Sequence, residues 1–189
     1  MTRACSTRAG RRRLLGLGVL ASASLAARPL AALAPAAPRP IPRRLAFLNT
    51  HTAEEVDVVY WSNGHYVPDA LAQINQVLRD HRTEDVKAID RRVLDLLFEL
   101  RVKLDTDEPY QVISGYRSPQ SNEYLRGRAP TSGVARMSQH MLGRACDVRV
   151  RGRTIDQLRD AALAMRRGGV GYYPASNFVH VDVGLVRKW

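Results

Sequence analysis

The chain has 189 residues, and its 29 Lys and Arg against 18 Asp and Glu give it a formal net charge of +11. Six of the arginines, and none of the acidic residues, lie in residues 1–36. The rest of the chain therefore keeps 23 basic against 18 acidic residues, a net charge of +5. This modest excess, with no motif that mixes basic and aromatic residues, argues against nucleic-acid binding and suits an anionic polymer such as the cell wall.

Residues 1–36 have the pattern of an export signal. Five arginines in residues 1–13 precede an uncharged run at 14–27, which is shorter than the roughly 20 residues that a membrane-spanning helix needs. We therefore predict a cleaved leader and no stable membrane anchor, with small residues at 34–36 marking the cut. An Ala- and Arg-rich disordered tail is the alternative.

Three arginines followed by two leucines at 11–15 resemble a twin-arginine signal, which exports proteins that have already folded. This predicts a location in the periplasm or cell envelope. Cleavage would also remove Cys5, so Cys146 would have no partner for an intramolecular disulfide. The stability of the mature protein must then come from its hydrophobic core.

The rest of the chain is predicted to be a proline-rich spacer at 37–44 and one domain at 45–189. Its predicted elements, in chain order, are a hairpin of strands at 45–49 and 55–61, a turn at 63–64, helices from 68 and after 83, a strand at 110–113, a helix between 118 and 127, a strand at 145–150, a helix from 154 to 167, and strands at 170–173 and 178–183. Helices and strands alternate irregularly, and a short turn joins the last two strands. The predicted fold class is therefore α+β, with a small central antiparallel sheet flanked by helices.

Two of the predicted strands each carry one polar face. Alternation places His180 and Asp182 on one face of the last strand and valines on the other. The strand at 145–150 repeats this design, with Asp147 on its polar face. If the two strands are neighbours, Asp147 and His180 converge, and His140 reaches them from the preceding loop.

His140, Asp147 and His180 offer nitrogen and oxygen donors of the kind that zinc accepts. Three protein ligands leave a fourth position for water, and zinc lowers the pKa of that water to about 7. Cys146 is an alternative ligand, but alternation points its side chain to the opposite face, so a core position is favoured. The pattern predicts one catalytic zinc ion per chain.

Three motifs resemble the D-alanyl-D-alanine-type zinc peptidases of the lysostaphin/D-Ala-D-Ala/sonic-hedgehog superfamily. They are Ser-Gly-Tyr-Arg-Ser at 114–118, Ser-x-His-x-x-Gly-x-Ala-x-Asp at 138–147, and Phe-Val-His-Val-Asp-Val-Gly at 178–184. With the segments at 169–174 and 186–189, the end of the chain is most similar to the murein endopeptidase K branch of that family.

The resemblance implies that His140, Asp147 and His180 bind the zinc ion. It also implies that Arg117 stabilises the developing oxyanion or holds a substrate carboxylate. Ser138 matches a position near the substrate, although a loop-capping hydroxyl is an equally simple role. Tyr116 is predicted to line the substrate cleft, and Tyr172 and Tyr173 are further candidates, with packing as the alternative for each.

The chain departs from the family at the position of the catalytic base. Many relatives carry Glu-x-x-His or His-x-His there, whereas Asn177 and Phe178 precede His180 here, and neither can take a proton. Asp182 is therefore predicted to be the base, or else to orient a ligand histidine. In another alignment His180 is catalytic and Asp182 is the third ligand.

Together, these features predict an exported, zinc-dependent murein endopeptidase that hydrolyses amide bonds in the cross-linking peptides of peptidoglycan. A D,D-carboxypeptidase that trims stem peptides would have the same metal site. A non-catalytic cell-wall-binding module would share the fold, as sonic hedgehog does.

Overall fold

The computed structural model describes residues 41–128 and 134–189. The predicted leader at 1–36 and the first half of the predicted spacer lie outside these residues. Strand β1 begins at Arg43, so the last two residues of the predicted spacer belong to the sheet. In the described part of the chain, no helix combines the length and apolarity needed to cross a membrane.

The described residues contain four α-helices and one eight-stranded sheet. The strands are β1 Arg43–Asn49, β2 Glu55–Ser62, β3 His65–Tyr66, β4 Tyr110–Ser114, β5 Ala145–Val150, β6 Gly169–Tyr173, β7 Phe178–Asp182 and β8 Arg187–Lys188. The helices are α1 Pro68–Val77, α2 Arg91–Lys103, α3 Pro119–Gly127 and α4 Ile155–Met165. The predicted α+β class is confirmed.

The sheet has the strand order β3-β2-β1-β4-β5-β7-β6-β8. Most neighbours are antiparallel, as predicted, but β1 pairs with β4 and β6 pairs with β8 in parallel. The first parallel pair arises because β2, β3, α1 and α2 all lie between β1 and β4 in the sequence, and the two helices form a crossover connection back to the sheet. The second arises because the last residues of the chain add a short strand to the edge of the sheet.

The helices α1, α2 and α4 pack on the sheet and bury its apolar residues. Leu94, Leu97 and Leu100 of α2 are completely buried, as are Leu45 of β1 and Val148 of β5. Burial of each leucine side chain contributes about 1.5–3 kcal/mol relative to its exposure to water. This core holds β5 and β7, the two strands with the predicted polar face, in a fixed position.

The predicted second helix starts later than its apolar spacing suggests. Val86 and Ile89 continue the helical period, but α2 begins at Arg91, after Asp90 has capped its first turn by accepting a hydrogen bond from the Arg92 amide over 3.0 Å. The backbone N–H of Asp90 donates to the Gly143 carbonyl over 2.9 Å. The segment before α2 is therefore held against the loop that contains His140 rather than wound into the helix.

Two predicted helix starts are confirmed by their caps. Ser118 accepts a hydrogen bond from the Ser121 amide at the start of α3. Thr154 and Gln157 form a capping box at the start of α4. The α4 helix ends at Met165, two residues before its predicted end, because Arg166 adopts a left-handed conformation with φ of 52°.

Candidate active site

The sheet register brings two of the predicted metal ligands together. In the antiparallel pair of β5 and β7, Asp147 lies directly opposite His180. His140 belongs to a short 3-10 helix, Gln139–Leu142, that ends at Gly143 with φ of 65°. A Cβ atom at Gly143 would lie 2.6 Å from the Ala88 carbonyl oxygen, so the loop needs glycine both for its conformation and for this close approach.

The three side chains converge on a single point. Asp147 Oδ1 lies 3.1 Å from His140 Nε2 and 2.8 Å from His180 Nδ1, and the two imidazole nitrogens are 3.0 Å apart. All three residues are buried. They form a group that could hold a metal ion.

The hydrogen bonds of the two imidazoles determine where their lone pairs point. His140 Nδ1 lies 2.7 Å from the Gly115 carbonyl oxygen, and His180 Nε2 lies 3.1 Å from Asp182 Oδ2. Both of these oxygens only accept, so the facing nitrogens carry the hydrogens. When both rings are neutral, the lone pairs of His140 Nε2 and His180 Nδ1 point at each other and at the Asp147 carboxylate.

Three electron-rich atoms in contact repel one another unless a cation lies between them. A tetrahedral zinc ion with bonds of about 2.0–2.1 Å separates its ligand atoms by about 3.3 Å, close to the distances between the atoms of His140, Asp147 and His180. The residues present therefore fit a divalent metal with nitrogen and oxygen ligands. The hydrogen bonds behind each imidazole are the usual supports of metal-binding histidines.

The protein environment changes the pKa of each ligand. Burial lowers the pKa of His140. Burial also acts against protonation of His180, but its hydrogen bonds to Asp147 and Asp182 outweigh this effect and raise its pKa to about 9. Burial would raise the pKa of Asp147, but the two imidazoles hold it far below its usual range. The carboxylate is therefore ionised, and a bound cation would replace the extra proton of His180.

Asp182 lies behind His180, on the side of the imidazole away from Asp147. It is completely buried. Its Oδ1 accepts hydrogen bonds from the amides of Gly169 and Gly184 over 3.0 and 2.8 Å, and its Oδ2 accepts from His180 and from Arg187 Nη2, the latter over 2.6 Å.

This position argues against the predicted role of Asp182 as a base and against the alignment that makes it a ligand. Burial would raise the pKa of its carboxylate, but the hydrogen bonds from His180, the two amides and Arg187 together hold the pKa well below its usual range. Both oxygens already have partners, and the side chain does not line the cleft among the described residues. The arrangement fits the second predicted role, in which Asp182 orients His180.

Arg117 lies beside the metal-binding group. Its Nη2 is 3.2 Å from Ser114 Oγ and 3.6 Å from Asp147 Oδ2, and its backbone N–H donates to the His140 carbonyl. The guanidinium Nε is buried and has no hydrogen-bond partner among the described residues. Arg117 lines the cleft, where a guanidinium can donate hydrogen bonds to an anionic or carbonyl oxygen.

Of the other two predicted substrate residues, Ser138 and Tyr116, one lines the cleft and the other does not. Ser138 lines the cleft, and its Oγ accepts a hydrogen bond from the His140 amide over 3.3 Å, so it also caps the ligand loop. Tyr116 is not among the described residues that line the cleft. Its ring packs against the core and lies 5.6 Å from Lys87 Nζ, which fits the alternative reading of packing.

Comparison with known proteins identifies the family. A family model described as peptidoglycan L,D-endopeptidase MepK matches residues 37–189. The chain belongs to this family. The peptidoglycan L,D-endopeptidase MepK of Escherichia coli K12 is 43% identical over 183 residues, which cover 96% of this chain and 97% of the relative. The probable peptidoglycan L,D-endopeptidase MepK of Haemophilus influenzae is 36% identical over 151 residues, or 79% of this chain and 80% of the relative. No solved structure matches the chain.

Membership in the MepK family confirms the prediction of a hydrolase that acts as a peptidoglycan endopeptidase. The shared family also agrees with a metal site, because MepK belongs to the metallopeptidases that the sequence motifs resemble. The family match covers all the residues of the site described above.

In this member of the MepK family, three aromatic residues line the cleft, of which Tyr173 was a candidate with packing favoured, and Phe178 and Trp189 were not predicted as site residues. The cleft has a volume of about 250 Å³, and Tyr173, Phe178 and Trp189 border it together with the metal-binding group. Phe178 could have been found from strand alternation, because it lies two residues before His180 on the same face. Trp189 gave no such signal, because it reaches the cleft only through the pairing of β8 with β6.

Proposed function

We propose that this protein is an exported, zinc-dependent peptidoglycan endopeptidase that cuts a bond between an L and a D centre in the cross-linking peptides. The observation that carries the proposal is the convergence of the ligand atoms of His140, Asp147 and His180 in a cleft that Arg117 also lines. The choice of an L,D bond is supported by the names of the relatives from E. coli and H. influenzae.

His140, Asp147 and His180 would hold the metal ion. When bound, zinc polarises a carbonyl oxygen and lowers the pKa of water to about 7. The chain supplies the geometry: Gly115 and Asp182 hold the outer nitrogens of the two imidazoles, so the inner nitrogens face the position of the metal.

Arg117 would bind the oxygen on which negative charge develops, or a carboxylate of the substrate next to the scissile amide. Its position within 3.6 Å of Asp147 places the guanidinium beside the ligand group, and its free N–H is already desolvated. A donor fixed before the reaction costs no reorganisation when charge develops. Ser138 would hold the His140 loop in place and present its hydroxyl to the cleft.

Export would depend on residues 1–36. Their arginines and the uncharged run after them support a twin-arginine leader, and a peptidoglycan substrate requires the mature protein to reach the periplasm. Replacement of Arg11, Arg12 and Arg13 by lysine should retain the protein in the cytoplasm. Export of this variant through another route would contradict the twin-arginine assignment and leave the enzymatic proposal intact.

Digestion of cross-linked sacculi followed by mass analysis of the muropeptides tests the enzymatic proposal. The wild-type protein should convert cross-linked muropeptides to monomers, and His140→Ala protein or chelator-treated protein should not. A wild-type protein that binds zinc but releases no monomers would contradict the proposal.

The same experiment distinguishes the alternative functions. A D,D-carboxypeptidase would remove one terminal residue from monomers and leave the cross-links intact. A cell-wall-binding module would bind intact sacculi without any dependence on the metal and would release nothing.

A further inference from the structure

Strand β6 lacks side chains at two alternate positions next to the active site. A Cβ atom at Gly171 would lie 2.7 Å from the Trp189 ring, and one at Gly169 would lie 2.5 Å from Asp182 Oδ2 and 2.7 Å from Arg187 Nη1. Real Cβ atoms do not approach other atoms so closely. The two glycines therefore leave a groove on this face of the sheet, and the side chains of Arg187 and Trp189 fill it.

Several contacts hold Trp189 in this groove. Its backbone N–H donates to the Val170 carbonyl over 3.2 Å, and its carbonyl accepts from the Tyr172 amide over 3.0 Å. Its indole Nε1 donates to the Tyr173 hydroxyl over 2.7 Å, and the Arg187 guanidinium lies 4.9 Å from the ring centroid. Backbone and side chain are thus both anchored.

The held ring reaches the metal-binding group. Its centroid is 5.2 Å from that of His180, which lies opposite Gly171 in the pairing of β6 with β7. Trp189 nevertheless remains 49% exposed and lines the cleft. Because Nε1, the only polar atom of the indole ring, already has a partner, the exposed part of the ring offers apolar contact alone.

Other residues extend this apolar surface. Tyr173 and Phe178 stack with ring centroids 4.6 Å apart, and both line the cleft. Val134, Ala135 and Met137 also line it. The cleft therefore combines a polar group that suits a reacting amide with apolar walls that suit the aliphatic side chains on either side of that amide.

We propose that Trp189 is a specificity-determining residue that binds an aliphatic side chain of the peptide next to the scissile bond. The inference rests on the proposed function, because it assumes that a peptide occupies the cleft. It goes further by naming the chemical class that the site selects: peptides with an aliphatic side chain of several carbons beside the amide, rather than a small or purely polar side chain. Packing of such a group on the indole covers apolar surface of both partners.

Steady-state kinetics on a purified cross-linked muropeptide test this role. Trp189→Ala should raise KM about tenfold or more with a smaller change in kcat, whereas Trp189→Phe, which keeps an aromatic face, should stay within about threefold of the wild type. Zinc content should remain at one ion per chain in both variants. The matched control is Trp61→Phe, which changes the other tryptophan, in β2, and should leave KM unchanged.

Two results would overturn the inference. Loss of zinc from Trp189→Phe and Trp189→Ala protein would mean that the ring only supports His180. An unchanged KM in Trp189→Ala protein with full zinc content would mean that the substrate does not touch the ring.

Fluorescence provides a readout that does not require hydrolysis. The chain has two tryptophans, so Trp61→Phe protein reports on Trp189 alone. Titration of this zinc-loaded variant with monomeric muropeptides, which carry the stem peptide without the cross-link, should give a saturable change in emission. No change at concentrations at which the peptide binds by calorimetry would overturn the inference. If the peptide binds and changes the emission but wild-type protein cuts no cross-links, the proposed function fails, while the contact between Trp189 and the peptide is supported.

Discussion

The imidazole of His180 is held between two carboxylates, with Asp147 Oδ1 2.8 Å from its Nδ1 and Asp182 Oδ2 3.1 Å from its Nε2. The two carboxylates have different surroundings, although they lie on neighbouring strands. Asp147 borders the cleft, whereas Asp182 is enclosed by backbone amides and Arg187. One carboxylate is therefore placed to bind a metal, and the other to direct the lone pair of the histidine towards it.

Replacement of Asp182 by asparagine should weaken zinc binding. The change removes the charge that holds the His180 Nε2 hydrogen, and loss of such an outer partner typically costs about 10–100-fold in metal affinity. Competition with a chromophoric chelator measures this affinity, and Asp160→Asn, an exposed change on α4, is the control. If the variant binds zinc as tightly as the wild type but its kcat is greatly reduced, the result would instead favour Asp182 as the base.

Replacement of Arg117 by alanine should lower kcat/KM about 100-fold to 1,000-fold without loss of zinc, because removal of one preformed donor to a developing oxyanion has an effect of this size. Arg117→Lys should recover little, since an ammonium cannot reproduce the guanidinium fork. Arg126→Ala on α3 serves as the control, because Arg126 does not line the cleft. Full activity in the alanine variant would show that Arg117 has no part in the reaction.

Removal of the metal should abolish activity and lower the melting temperature, and added zinc should restore both. Binding to the folded state alone stabilises a protein by about 2.7 kcal/mol when the free ligand is at 100 times its Kd. Differential scanning calorimetry with and without zinc measures the shift. His140→Ala protein should show almost no zinc-dependent shift; a shift equal to that of the wild type would place the metal elsewhere.

Asp80 should stabilise the protein in a pH-dependent manner. It is 1% exposed and accepts hydrogen bonds from the backbone amides of Ser118 and Arg82 over 2.7 and 3.0 Å. Burial alone would raise the pKa of this carboxyl, but the nearby Ser121 hydroxyl and the hydrogen bonds from these amides lower it to about 2. The ordinary value is about 3.9, so the stabilisation is complete above pH 4 and is lost as the pH falls towards 2.

Asp80→Asn should therefore lower the free energy of unfolding by about 1–2 kcal/mol at pH 7, and the difference from the wild type should shrink at pH 3. Urea unfolding of metal-free protein at both pH values measures this difference. Glu55→Gln, an exposed change on β2, is the control. An equal difference at pH 7 and pH 3 would show that the charge of Asp80 does not stabilise the fold.

Features of the fold that depend on local chemistry could be predicted from the sequence. Strand alternation placed Asp147 and His180 on polar faces because side chains alternate along any strand. The starts of α3 and α4 followed from Ser118 and Thr154, whose side chains satisfy amides only a few residues away. Apolar spacing predicted a start for α2 that is too early. The segment before the helix is held by the contact between Asp90 and Gly143, which joins segments that are far apart in the sequence.

The motifs established the family, the polar strand faces and the residues that could bind a metal, since each of these is encoded over short stretches of chain. Two open questions depended instead on contacts across the sheet. The motifs left Asp182 as a base or an orienting group, and the contacts of its carboxylate with Gly169 and Arg187 favour the orienting role. No motif predicted a role for Trp189 in the cleft. The pairing of β8 with β6 places the centroid of its ring 5.2 Å from that of His180. Backbone pairing between distant segments specifies such neighbours, and no local pattern of residues encodes it.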